Sequence, residues 1–471
     1  MAPPSRGAFI VDEKDFMSRV STAPVARKGG SPLAVAAGVA VTALLARLLY
    51  VQFFSTPMPF WDQWDGEGAT ALQPWLNGTL QWSTLLTPHN EHRILPTRLV
   101  ALVSYLVTGQ WNNVYEARIS ALVFCFIPAL LVWYALRDAA AANGRRLLVA
   151  FALLMSVLPF AWQNFLVGFQ SQFYFLILSS IVAIGLAARH HQRIPALLAS
   201  TALSVLAATT MASGMLTAVA VGITCLIACL CLPGRRAPAL CATAVLAVLA
   251  VVAYRVIPVI DGHGMLRAQS LAELLLAATH ALAWPARSNW AVIIVWLPGA
   301  VMIARMLLRR QASRTDLVMA GLCIWTALQG VAIAYGRGHE MRVPASRYTE
   351  LFVPGLFANA WFALRLWNLL PASRMRGAAR TAVVLFALLV VVAPLSQVGK
   401  DFQRIREFAA ACRLQQENVI RYLVTGDPAA LQVGEFELPY PDAGKLKAQL
   451  DDPKLRAILP VNPARPAPGD R

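Results

Sequence analysis

Acidic side chains are scarce in this chain. It carries 24 Asp and Glu against 41 Lys and Arg, and charged residues make up only 14% of its 471 positions. A soluble domain carries about 25%. That shortfall, with 58% hydrophobic residues and a mean hydropathy of +0.56, excludes a soluble globular protein and indicates a polytopic membrane protein. The net charge of +17 does not indicate a nucleic-acid binder. The arginines fall in short clusters between apolar runs, the distribution that the positive-inside rule produces.

Cysteine offers no framework either. Of Cys125, Cys225, Cys229, Cys231, Cys241, Cys323 and Cys412, all but one sit inside apolar runs, and no Cys-x-x-Cys pair occurs. This argues against a thiolate zinc site and against a disulfide scaffold. A cleavable signal peptide is not expected, because about thirty mostly polar residues precede the first apolar run. That run is expected to remain as a signal anchor. Internal repeats are not evident, which weighs against an inverted-repeat transporter.

What the chain has in quantity is long apolar runs. They lie near 33–54, 114–136, 147–166, 171–189, 195–211, 215–232, 237–258, 289–308, 316–335, 350–368 and 378–397, about eleven spans in all. Basic clusters at Arg137/Arg145/Arg146, Arg189/Arg193, Arg235/Arg236, Arg305/Arg309/Arg310/Arg314 and Arg365/Arg374/Arg376/Arg380 all fall on one side if 95–109 does not span. That stretch has about fifteen residues and contains Arg98 and Ser104, so it reads as an interfacial helix, as does 271–284. The expected fold is an all-α polytopic membrane helix bundle. A cytoplasmic tail (1–32) precedes a membrane domain (33–397) with an outer loop at 55–113. A small extracytoplasmic region (398–471) follows, with an amphipathic helix near 402–424 and then Pro-rich irregular chain through Pro439-Tyr-Pro441 and Pro463–Pro468. The N-terminus faces the cytoplasm and the C-terminus the periplasm.

On this topology the unusual polar residues collect on the outer side. Trp61-Asp-Gln-Trp-Asp-Gly-Glu67 puts Asp62, Asp65 and Glu67 within a few residues. On a helix Asp62 and Asp65 share a face, and close carboxylates raise each other's proton affinity, which suits general-base work. The tryptophans suit stacking on sugar rings or anchoring at the headgroup level, and capping alone could account for an Asp. In His89-Asn-Glu-His-Arg93, the two histidines are three apart and can face one way on a helix. With Asp65 or Glu67 they could bind a divalent cation. Without a closed ligand set, substrate hydrogen bonding by His89, Glu91, His92 and Arg93, or plain structural pairing with the acids, is the stronger reading. The segment Tyr335 to Tyr348 brings Arg337, His339, Arg342 and Arg347 to the same side. Planar guanidinium donors at a membrane surface match a phosphate, and salt bridges to the first-loop acids are the plainer alternative. Between two spans, Trp162 to Gln172 supplies neutral amides, Gln170 among them, that either recognise hydroxyls or satisfy helix ends.

These features together resemble the GT-C superfamily of integral-membrane glycosyltransferases. The resemblance rests on the acid-opened loop after the first span, His89-x-x-His92-Arg93-x-x-Pro96, a juxtamembrane helix ending in Gly109, Asn113-Val-Tyr-Glu-Ala-Arg118, and Ser346-Arg-Tyr348. An adjacent Asp-Glu pair in the first loop is absent, and the outer tail is small for that superfamily. The resemblance implies a polyprenyl-phosphate-linked sugar as donor, and a glycan, lipid or protein of the cell envelope as acceptor. It implies a bacterial inner membrane and Asp62 as catalytic base, with Asp65 as understudy. Arg347, with Arg337 or Arg342, would then meet the leaving phosphate, and Tyr348 would lie beside it. The rivals are a flippase or transporter for a lipid-linked substrate and a non-catalytic envelope-assembly protein.

Overall fold

The computed structural model describes residues 31–138, 144–369 and 376–461. Most of the expected cytoplasmic tail, Arg374 and Pro463–Pro468 lie outside the described residues. Among those described there is no strand, only a single bridge between His89 and His92. The chain is all-α.

A helix occupies each of the eleven expected span positions. Nine described helical segments are long and apolar enough to cross a membrane, from Pro32–Phe54 to Gly377–Thr425. The other two positions hold shorter helices, Ile194–Ala208 of 15 residues and Val353–Leu369 of 17. At 1.5 Å per residue the first reaches only about 22 Å, less than a bilayer core of about 30 Å. Local chemistry sets several starts. The Asn112 side chain accepts from the Val114 amide to cap Asn113–Leu136. Ser313 and Asp316 form a reciprocal capping box for Arg314–Arg337. Leu95–Thr108 and Leu271–Leu282 are short helices at the end of the bundle that carries residues 55–112, hereafter the site end.

Inside the bundle, small residues let helices approach closely. Gly185 lies against the Tyr134 hydroxyl, and Gly321 lies between Ile184 and Thr224. One ion pair sits deep within it. Arg47 Nη2 and Glu350 Oε1 are 2.7 Å apart, with side chains 0% and 2% exposed. The Arg47 guanidinium also lies over the rings of Phe124 and Phe165, at 4.1 and 4.5 Å from their centroids.

A second apolar core stands at the site end. Met58, Trp64, Leu72 and Trp111 of the first loop pack with Val419, Leu446 and Leu455 from the last part of the chain. The Trp61 amide donates to Pro439 O at 2.6 Å, and the Trp111 amide to Ile458 O at 2.9 Å. The amphipathic helix expected near 402–424 spans Val398–Thr425. Beyond it, where irregular chain is expected, the backbone folds into Pro428–Leu431, Glu435–Glu437, Ala443–Asp451 and Pro453–Ile458. Pro439-Tyr-Pro441 does lie in irregular chain between two of these helices, while two other prolines open helices. Asp427-Pro428 and Asp452-Pro453 are capped helix starts, a position where a missing N–H costs nothing.

Candidate active site at the loop end of the bundle

After the first span, the chain leaves the helix extended at Ser55, bends at Pro57-Met58 and turns at Trp61, which adopts a left-handed φ of 48°. A π-helix, Trp64–Leu72, follows. It is pressed into its surroundings through two glycines. A Cβ on Gly66 would stand 2.8 Å from the Phe169 ring, and one on Gly68 would stand 2.6 Å from Trp111. π-Helical segments are frequent at functional sites.

Asp62 projects from the turn just before this helix. Its side chain is 51% exposed, and Oδ1 lies 3.5 Å from His89 Nε2. Burial pushes its carboxyl up, but the hydrogen bond and charge of His89 and the charge of Arg347 outweigh burial and leave it below the ordinary value. The expectation that Asp62 and Asp65 raise one another's proton affinity therefore fails at Asp62. The reason is that each carboxylate has its own partner. Asp65 Oδ2 accepts the Tyr440 hydroxyl at 2.5 Å, and that contact helps push the tyrosine up.

The histidines are not on a helix. The backbones of His89 and His92 bond each other in both directions, at 2.7 and 3.0 Å, around a reversal in which Asn90 takes φ 50°. This sends the rings different ways. His89 meets Asp62 and the edge of Phe169. His92 Nδ1 accepts the Ala212 amide at 3.2 Å, and burial pushes that ring down to about 4. Glu67 turns inward and is buried. Among the described residues, no group of three or more His, Cys, Asp or Glu is arranged to hold a metal ion.

The arginines separate into distinct roles. Arg337 reaches both oxygens of Glu91 at 3.4 Å, and Oε1 also takes His263 Nδ1 at 2.7 Å. Burial would raise Glu91, but these two partners hold it down at about 2. Arg347 makes no ion pair among the described residues. It sits 5.1 Å from the Tyr348 ring centroid, and its backbone is held by amides: its N–H donates to Gln163 Oε1 and its carbonyl accepts Asn164 Nδ2. Arg93 is used on the Leu86 and Val256 carbonyls. His339 pairs with Glu273, away from Asp62, and Arg342 is exposed. Gln170 is half-buried next to Phe169.

Beside these residues a groove of about 380 Å³ opens at the site end. Met211, Met215, Ala332, Ile333 and Val259 give it apolar walls, and Arg255, Arg267 and Arg337 give it cationic ones. His92 and Tyr348 line it, so the groove adjoins Asp62 and Arg347 through their neighbours. Arg255, Arg267, Tyr440, Gln63 and Glu116 were not singled out from sequence. Glu116 looks like an ordinary first-turn acid of a helix, and the others carry no local pattern.

No protein-family model matches the chain, and no curated protein does. Among solved structures the fold is similar to the oligosaccharyltransferase AglB from the archaeon Archaeoglobus fulgidus, determined with an inhibitory peptide and a dolichol-phosphate. The identity is 10% and the TM-score 0.48, over 86% of this chain and 59% of that one. This chain thus spans about three fifths of that protein's length. A likeness of this size says nothing about chemistry.

Proposed function

We propose that the chain is a membrane glycosyltransferase of the GT-C type. It moves a sugar from a polyprenyl-phosphate donor to a hydroxyl of a cell-envelope acceptor. One observation carries the reading. An exposed carboxylate, Asp62, lies within electrostatic reach of Arg347, an arginine with no acid partner among the described residues, beside a groove that is lined by apolar side chains and arginines. An isoprenoid chain fits the apolar walls, and its phosphate fits Arg337, Arg267 and Arg347.

Asp62 accepts the proton of the acceptor hydroxyl as that oxygen bonds to the anomeric carbon from the side opposite the phosphate. The bond between that carbon and the phosphate oxygen breaks, its electron pair leaves with the phosphate, and the configuration inverts. A carboxylate held below its ordinary value takes the proton late, when the attacking oxygen has become acidic. Positive charge on the ring lies near Asp62, and negative charge on the leaving phosphate lies near Arg347. The basic clusters at the opposite end of the bundle support a cytoplasmic face there, with the site facing the periplasm of a bacterial inner membrane. The residues lining the groove all come from the site end, which favours one-sided chemistry over passage through the membrane.

The test is turnover in proteoliposomes with a panel of polyprenyl-phosphate sugars. Asp62→Asn serves as the blank, and a parallel series with chelator reads whether a divalent cation takes part. Turnover that survives in Asp62→Asn removes Asp62 as the base. Substrate uptake without bond cleavage makes the protein a transporter.

A further inference from the structure

Three side chains next to Asp62 have no part in that mechanism. Gln63 is fully buried and uses its whole amide. Its Oε1 accepts the Phe60 N–H at 2.9 Å, which closes the turn that carries Asp62. Its Nε2 donates to Glu67 Oε2 at 3.0 Å and to Glu116 Oε2 at 2.7 Å. Glu67 Oε2 also accepts Trp111 Nε1 at 3.2 Å. The remaining oxygen of each acid, Oε1, is buried and has no partner among the described residues, and the two carboxyls meet on the one Gln63 amide nitrogen.

Charge here is unbalanced. The buried cation facing Glu67 is Arg98, whose N–H groups bond the carbonyls of Gly66, Leu85, Thr87 and Arg93. From the other elements packed around it come His89, the neutral Gln449, and a charge-free turn at Gly168. Asp65, on the same helix, is turned to Tyr440. One arginine can offset one carboxylate. A second negative charge would be buried uncompensated, which is costly.

We infer that Gln63, Glu67 and Glu116 form a clamp in which the two buried carboxyls hold a single proton between them, and that this clamp positions Asp62 for the transfer. The inference rests on the reading of Asp62 as the base. With one proton, one carboxyl donates to the other and both stay on the Gln63 amide. Without it, two like charges share one amide, the clamp opens, and the turn from Phe60 to Gln63 is released. Burial pushes Glu67 up to about 7, against the hydrogen bonds from Gln63, Trp111 and Glu116. That step near neutrality takes a second proton off the pair and leaves the shared one, so the clamp closes as pH rises through neutrality and opens only at higher pH, when the last proton leaves. These three are positioning residues, and none touches substrate.

Two measurements test the clamp separately from the transferase reading. The first needs no substrate. Infrared spectra of the purified protein at about pH 8, in H2O and in D2O, should show a protonated-carboxyl band that shifts on deuteration in wild type. Glu67→Gln and Glu116→Gln should each lack that band. Absence of the band in wild type, or its survival in both variants, overturns the clamp whatever the protein's activity. The second is turnover. Glu116→Gln keeps one carboxylate and a permanent donor, so the alkaline limit of kcat should move up by a unit or more. Gln63→Leu should lower kcat by on the order of 10²-fold with the donor KM unchanged. An alkaline limit that does not move in Glu116→Gln overturns the positioning role.

Discussion

Replacing Arg47 by methionine leaves the Glu350 carboxylate inside the bundle with no counter-charge. The two groups are 2.7 Å apart, and neither side chain has more than 2% exposure. Removing one partner of such a pair costs about 3–5 kcal/mol, because the desolvated charge that remains is uncompensated. The two cation–π contacts of Arg47 are lost as well, each worth roughly 0.5–2 kcal/mol, while methionine recovers part of the packing. The net expectation is a loss of about 3–5 kcal/mol, a large share of the ~5–15 kcal/mol that holds a typical protein together. Arg47→Met/Glu350→Gln removes both charges and keeps an oxygen for Asn164, which now donates to Glu350 Oε2 at 2.8 Å. The double variant should therefore be more stable than Arg47→Met, with a coupling of about 2–3 kcal/mol. Thermal unfolding in one detergent, followed by circular dichroism, should place Arg47→Met roughly 3–5 °C below wild type, with the double variant between them. A double variant that melts at or below Arg47→Met would refute the argument from uncompensated charge. The pair also bears on the site, since Asn164 joins Glu350 to the Arg347 carbonyl.

Three further outcomes follow from contacts at the site end. Because His89 and Arg347 hold Asp62 below its ordinary value, the base stays ionised until pH falls beneath the usual carboxylate range. His89→Ala should therefore move the acid limb of kcat/KM upward, and an unmoved limb would disconnect His89 from Asp62. Arg347→Ala should raise the donor KM by about tenfold or more without lowering the melting temperature, since no acid is left unpaired; an unchanged donor dependence would remove it from the phosphate. Gly68→Ala should cost about 1–3 kcal/mol, because the added methyl meets Trp111 at 2.6 Å and Gln449 at 3.0 Å; a melt equal to wild type would show that the π-helix seat is loose.

The helices were legible from sequence for a physical reason. A membrane solvent requires long apolar runs and closed backbone hydrogen bonding, so hydropathy alone marks where each helix lies. The short helices Leu95–Thr108 and Leu271–Leu282 were legible too, since each apolar run is short for a span. The stretch 426–461 was harder to read. Irregular chain was expected there, although Asp427-Pro428 and Asp452-Pro453 carry the capped-start pattern that the structure uses. At the site, the sequence marked a chemically dense loop without assigning partners. A helical spacing placed His89 and His92 on one face, whereas a backbone reversal separates them. Glu67 belonged to the acidic group by proximity, yet it turns away from Asp62 toward Glu116.

By itself, the sequence determined the class of solvent, the positions of the helices and the loop in which acids and arginines gather, because hydropathy and charge are local properties of the chain. Tertiary structure decided which acid remains free. Asp65 is taken by Tyr440, 375 positions away, and Glu350 by Arg47, 303 positions away. Glu67 shares Gln63 with Glu116, and Asp62 keeps an open side. Whether a carboxylate is a buried strut or a base depends on its counter-charge and its water, and both are supplied by residues far away in the chain.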